Sequence, residues 1–436
     1  LPAENQHLMK FFLLAFLLSP ALFAQKLSDD ALLEEVQKTT FKYFWDFAHP
    51  VSGLARERSN TTFGYGQETC TSGGSGFGIM AILVGVERKW ITRSEGANHI
   101  LKILKFLERT PVYHGAFPHW IHGETGKTLP FSRKDDGGDL VETAFLMQGL
   151  LCARAYFDAN TPTENHLRGL ATVLWEEVEW DWYTKGSNNQ LFWHWSPNNG
   201  WAMNFELRGY NETLITYILA ASSPRYPISP EVYHKCFAKN DHFYNNKTFY
   251  GIKLPLGFDY GGPLFFTHYS FLGLDPRGLK DRYADYWEQN VNHTRINYEH
   301  CVKNPHAYSN YGPHCWGLTA SDSYEGYNAH SPTNDLGVIS PTAALSSFPY
   351  TPKESMAALR YFYEKRKDDL WGPYGFYDAF HDDKKWIASS YLAIDQGPIL
   401  VMIENHRSGL LWNLFMKIPE IQAGLRKLGF ESPHIK

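Results

Sequence analysis

The chain has 436 residues, of which 43% are hydrophobic and 20% charged, a globular balance that excludes an intrinsically disordered protein. Its 46 acidic against 41 basic residues leave a net charge of -5, which argues against a nucleic-acid partner, whose electrostatic footprint would be basic. Aromatic residues make up 16%, with 14 Trp and 26 Tyr, and flat rings with a polar tip suit the stacking of sugar rings.

Residues 1–24 read as a targeting segment and not as fold. Leu1 to Leu8 form an upstream extension. Met9 and Lys10 are then followed by a short apolar run, Phe11 to Phe23, that ends at Ala24. One basic residue, a short apolar core and a small terminal residue make a secretion signal. The run is too short to span a bilayer comfortably. The expected mature protein starts near Gln25, is periplasmic or extracellular, inserts in no membrane and is monomeric. The five cysteines, at positions 70, 152, 236, 301 and 315, are an odd number at wide spacings and do not read as a disulfide framework.

From residue 28 onward two kinds of helix alternate. One kind is amphipathic and charged: Ser28 to Phe47, Ser94 to Arg109, Thr163 to Trp180, Lys280 to Asn290, Pro352 to Lys367 and Gly409 to Leu428. In the second of these, Ile100, Ile103, Leu104 and Leu107 form a helical stripe. The other kind is apolar nearly all round: Gly76 to Gly85, Leu140 to Ala155, Thr213 to Ala221, Leu264 to Leu272, Pro341 to Ser347 and Pro398 to Glu404. A helix apolar on every side is buried. Alternation of exposed and buried helices is satisfied economically by two concentric rings, so the expected fold is all-α, an (α/α)6 barrel filling residues 25–436 as a single domain. Long loops, as in 188–204 and 306–334, would form its cleft.

Acidic clusters open several of the buried helices. They are Lys134-Asp-Asp-Gly-Gly-Asp-Leu-Val-Glu142, Arg208-Gly-Tyr-Asn-Glu212 and Ile394-Asp-Gln-Gly-Pro398. The starts of inner helices lie at one mouth of such a ring, so Asp135, Asp139, Glu142, Glu212 and Asp395 would converge on one cavity. Two carboxyls facing one sugar bond are the working parts of most glycosidases, one as proton donor and one to activate water or attack. Each acid also has a structural reading. Asp139 and Glu142 fit a capping box, Glu212 suits a helix dipole, and Asp395 sits at an ordinary helix start before Pro398. Asp135 has no capping role and is the acid expected to face solvent or substrate and to stay ionised. Loop aromatics Trp120, Trp193, Trp195, Trp201, Trp316 and Tyr377 are the expected sugar-binding surfaces. His119-Trp-Ile-His122 would put two imidazoles on one helical face, but it lacks a third ligand in local spacing, so neither metal nor cofactor is expected.

The strings Gly76-Phe-Gly-Ile-Met-Ala81, Asp135-Asp-Gly-Gly-Asp-Leu-Val-Glu-Thr-Ala-Phe145, Gly209-Tyr-Asn-Glu212, Cys315-Trp-Gly-Leu-Thr-Ala-Ser321, Gly375-Phe-Tyr-Asp-Ala-Phe380 and Ile394-Asp-Gln-Gly-Pro398 resemble the bacterial glucoamylase-like domain. The nearest group is glycoside hydrolase family 144, whose members include endo-β-1,2-glucanases. The resemblance spans about residues 30–430. It implies an (α/α)6 barrel, a central acidic cleft, metal-free hydrolysis of β-1,2-linked glucan, and functional carboxylates at Asp135, Asp139, Glu142, Glu212 and Asp395. Internal cleavage, cleavage from chain ends and glycosyl transfer all stay open. Glu212 is the expected proton donor, Asp395 or Asp135 the group that handles water, and Asp139 and Glu142 hold the loop and cap the helix. A sugar-binding protein explains the aromatics but not the buried acids. A polysaccharide lyase would need cations in its motif loops, which here carry acids.

Overall fold

The computed structural model describes residues 26–61, 66–239 and 242–435. The proposed secretion signal and the Gln25 terminus lie outside the described residues. In chain order the helices are α1 (Asp29–Trp45), α2 (Ser72–Glu87), α3 (Arg93–Leu107), α4 (Leu140–Tyr156), α5 (Pro162–Glu176), α6 (Leu214–Ser222), α7 (Pro230–Val232, prolonged by a π-helical turn, Tyr233–Phe237), α8 (Tyr286–Lys303), α9 (Pro341–Leu345), α10 (Pro352–Leu370), α11 (Ala393–Arg407), α12 (Leu410–Met416) and α13 (Pro419–Lys427).

These form an (α/α)6 barrel. The inner ring is α2, α4, α6, the 264–272 segment, α9 and α11, and the chain returns through an outer helix after each. Composition sorts the two rings. Every residue of α6 and α9 is buried, and α2 is buried from Ser72 to Val86, whereas α3 buries one stripe that includes Ile100, Ile103, Leu104 and Leu107. Glycine brings inner helices together. A Cβ on Gly76 of α2 would lie 2.2 Å from the Phe145 carbonyl oxygen of α4, and one on Gly149 would lie 2.2 Å from the Gly76 oxygen. The two backbones therefore touch where only glycine fits. The inner ring is closed on its far side by α11, which packs against both α2 and α9.

Several expected elements differ in extent. The helix expected over 280–290 starts at Tyr286 and runs to Lys303, because Asp285 caps it by accepting from the Trp287 and Glu288 amides. The 409–428 stretch is broken by Pro419 into α12 and α13. The 264–272 stretch makes two short 3-10 turns, Leu264–Thr267 and Ser270–Leu272. The helix expected to start at Pro398 starts at Ala393, so Asp395 already lies in its first turn and Pro398 inside it.

Short strands, which the sequence pattern does not reveal, line the cleft mouth. Thr69–Thr71 pairs antiparallel with Trp120–His122, which pairs with Thr128–Leu129, so His122 lies in a strand with His119 just before it, and the two do not share the helical face considered from sequence. A hairpin of Ala320–Ser323 and Gly326–Ala329 approaches from the opposite side. Among the described residues no helix is long and apolar enough to cross a membrane.

Candidate active site

The inner-helix starts share one end of the barrel, and a cavity of about 420 Å³ opens there. Its walls include Glu57, Arg58, Glu142, Glu212, His119 and Thr71, with aromatic faces from Trp120, Phe131, Trp193, Phe265, Tyr269 and Tyr327. The start of α4 supplies one wall. Asp139 is the N-cap, and its Oδ1 accepts from the Val141 amide at 3.0 Å, the Glu142 amide at 2.9 Å and the Trp193 indole N–H at 2.7 Å. Its Oδ2 lies 2.9 Å from His119 Nδ1. The expected capping box does not close. The Asp139 amide donates to the Phe117 carbonyl, and Glu142 reaches across to α2, where its Oε2 accepts from the Gly73 amide at 2.8 Å and from Thr71 Oγ1 at 3.1 Å. Glu142 thus caps a neighbouring helix and faces the cleft.

Asp135 is only 4% exposed, which corrects its expected solvent-facing position. Its Oδ2 lies 3.4 Å from His194 Nε2 and 3.9 Å from His119 Nδ1. Burial and the charge of Asp139 raise its carboxyl to about 7, so it does not stay simply ionised as expected. In Asp139, burial is outweighed by the hydrogen bond and charge of His119, and the carboxyl falls below its ordinary value. Burial works against the His119 imidazolium, but Glu142, Asp139 and Asp135 raise it to about 9. Donor atoms of His119, Asp135 and Asp139 lie within 4.8 Å of one another, a spacing that could hold a cation. With its imidazole protonated, His119 pairs with both carboxylates as an ion-pair cluster.

Glu212 precedes α6, whose first turn is capped by Ser270: the Ser270 hydroxyl accepts from the Ile215 amide and donates to the Glu212 carbonyl. The Glu212 side chain is 8% exposed, and its Oε2 has no hydrogen-bond partner among the described residues. Burial, helped by the charges of Glu142 and Asp139 and opposed by its own backbone amide, raises it to about 7.

Next to Ile394 of the cavity lining, Asp395 in α11 is not itself a lining residue and sits against Asp378. Burial and then the Asp378 charge push Asp395 far above the carboxylate range, and burial with the Asp322 charge raises Asp378 to about 7. The two carboxyls are hydrogen-bonded when one of them keeps its proton. Asp322 accepts from Arg58 Nη1 at 3.0 Å and from Ser390 Oγ at 2.6 Å, and Arg58 Nε donates to Glu57 at 2.8 Å. Sequence reasoning missed Glu57, Arg58, Asp322, Asp378 and the tyrosines of the cleft. The available signal was Asp378 inside Gly375-Phe-Tyr-Asp-Ala-Phe380, an acid embedded in an apolar string.

Of the expected sugar-binding aromatics, Trp120 and Trp193 line the cleft. Trp201 lines a separate groove with Trp182, and Trp195 packs edge-on to Trp182. Trp316 is fully buried in a second hydrophobic cluster with its indole N–H on the Glu354 carbonyl, which leaves it no surface for a sugar. Tyr377 packs against Tyr391 at 4.9 Å and is not part of the cleft lining.

A family model described as "putative glucoamylase" matches residues 204–419. A solved Bacteroides uniformis protein described in the same words is 60% identical, covers 94% of this chain and 100% of its own, and superposes with a TM-score of 0.93. An endo-β-1,2-glucanase from Chitinophaga pinensis, solved with sophorotriose and glucose, is 55% identical over 94% of this chain and 100% of its own, with a TM-score of 0.91. An exo β-1,2-glucooligosaccharide sophorohydrolase acting at the non-reducing end, from Parabacteroides distasonis, is 46% identical over 92% of this chain, which spans 58% of that relative's length.

Proposed function

The chain belongs to the bacterial glucoamylase-like family, of the glycoside hydrolase family 144 type, and from that premise we propose that it hydrolyses β-1,2-linked glucan by carboxylate acid/base catalysis. The observation that carries this reading is Glu212. A carboxyl on the cleft wall, buried, with Oε2 unpartnered among the described residues and raised to about 7, keeps its proton in a large fraction of molecules at neutral pH and can donate it. Its proton goes to the leaving glycosidic oxygen. Asp135 takes the water-handling role in preference to Asp395, because Asp395 is held protonated against Asp378. The neighbouring His119 imidazolium favours the ionised form of Asp135. Glu142 and Asp139 fix the α4 start, and Trp120, Trp193, Tyr269 and Tyr327 offer faces and hydroxyls to the sugar rings.

The chemistry is carried by side chains, so turnover is expected to persist in EDTA. The apolar run after Lys10 supports export with a mature terminus near Gln25, and an intact Met9 on exported material, read by mass spectrometry, would reject it. The activity test is incubation with β-1,2-, β-1,3-, β-1,4- and α-1,4-glucans, with anomeric configuration followed by NMR. The expected result is cleavage of the β-1,2-glucan with saturated reducing ends. Its time course separates internal cleavage, named for the Chitinophaga relative, from release at the non-reducing end, named for the Parabacteroides relative. Glucose from starch with β-1,2-glucan untouched contradicts the reading, as do unsaturated ends.

A further inference from the structure

Away from the carboxylates, the C-terminal end of α8 meets the loop that follows the Tyr327 hairpin. His300, in the last turn of α8, is buried; its Nε2 lies 2.7 Å from Asp335 Oδ2 and its Nδ1 lies 2.9 Å from the Tyr250 hydroxyl. The other oxygen of Asp335 accepts from the Tyr311 hydroxyl at 2.6 Å and from the Gly337 amide at 2.9 Å. His306 is exposed, and donor atoms of His300, His306 and Asp335 lie within 4.8 Å of one another. His330 is fully buried beside them and within reach of the Asp335 charge, and neither of its ring nitrogens has a hydrogen-bond partner among the described residues.

We propose that His300, His306 and Asp335 form a binding site for a divalent cation of the zinc class, which ties α8 to the loop behind the cleft hairpin. Two imidazoles and one carboxylate are a donor set that Zn²⁺ favours over Mg²⁺ or Ca²⁺. The surroundings are those of a supported ligand shell. Metal-bound imidazoles use their second nitrogen on a fixed partner, as His300 does with Tyr250, and metal-bound carboxylates have their second oxygen held, as Asp335 does by Tyr311 and Gly337. Exposed His306 provides the entry side. A plain His300–Asp335 hydrogen bond accounts for those two residues alone. It does not explain the third donor, His306, with its donor atom within 4.8 Å of the other two. A helix C-terminus also favours positive charge. The consequence for the cleft is mechanical. His330 and Asp335 follow directly on Gly326–Ala329, the strand that carries Tyr327.

The test uses tag-free full-length protein stripped with EDTA and titrated with ZnCl2 by calorimetry, with melting followed in parallel. Saturable binding of one Zn²⁺ per chain and a rise in melting temperature are expected. His306→Ala, at an exposed position, should leave the metal-free melting temperature unchanged and weaken Zn²⁺ binding at least ~10-fold. Asp335→Asn should weaken it similarly, and where that variant does not fold, Tyr250→Phe, which removes only the support of His300, takes its place. No saturable binding, or binding that survives His306→Ala or the Asp335/Tyr250 substitution at wild-type affinity, overturns the proposal.

Discussion

The starts of α4 and α6 place an acidic residue in nearly the same situation and give it opposite electrical states. Asp139 is completely buried and Glu212 is 8% exposed, both at the mouth of the same barrel. Asp139 accepts from two backbone amides and one indole, faces the His119 imidazolium, and is held ionised. Glu212 has an oxygen with no donor and is raised to about 7. Burial alone therefore does not decide whether an acid in this ring is a cap or a proton donor. The donors around it do.

The largest effect that sharpens this contrast is on turnover. Glu212→Gln should lower kcat by at least ~10²-fold, about 2.7 kcal/mol of barrier, with the fold intact. Its melting temperature at neutral pH should be unchanged or higher, because a buried carboxyl without a partner is removed. Asp139→Asn should do the reverse in stability. The amide cannot accept from His119 as the carboxylate does, and a loss of about 2 kcal/mol is expected in denaturant unfolding. Equal melting temperatures for the two variants would break the comparison.

A third effect is the pH dependence of stability. Glu212, Asp135 and Asp378 have folded-state values raised to about 7, so between the ordinary carboxylate range and pH 7 the folded chain binds more protons than the unfolded one. Their contribution is fully present at the acid end of that window and is lost as pH rises through it. Asp139, with its lowered value, contributes in the opposite sense and in a more acid window. Glu212→Gln should remove one proton from the slope, about 1.4 kcal/mol per pH unit at most. A wild-type slope left unchanged by the substitution contradicts the raised value. The smaller effects lie in the aromatics. Trp120→Ala should raise KM about 10-fold with little change in kcat, the scale of one lost ring face, while Trp201→Ala, in its separate groove, should leave both constants unchanged.

The two regions were not equally legible in the sequence. The ring of inner helices could be read because α2, α4 and α6 are apolar on every side, and the acids of the α4 and α6 starts stood next to those apolar runs. Helix α8 was misjudged because its buried face carries Gln289, His293, Asn297 and His300, polar groups that hydrogen-bond to neighbouring segments, which hides the stripe. The Arg58 wall was missed for a related reason. Glu57 and Asp378 come from separate loops and Asp322 from the Ala320–Ser323 strand, and their meeting depends on the closed ring and not on local pattern. Trp316 teaches the converse: it lies in one of the strings on which the family resemblance was read, yet its place is core packing.

The central claim, that burial outweighs the single backbone donor of Glu212 and raises its carboxyl to about 7, is tested most directly by infrared difference spectroscopy. Wild type and Glu212→Gln would be compared between pH 5 and pH 8. The account predicts a protonated-carboxyl band in the wild type that titrates near 7 and loses one carboxyl's share in the variant, with the shares of Asp135 and Asp378 left in place. A variant that keeps the whole band, or a Glu212 carboxylate already ionised at pH 5, would contradict it.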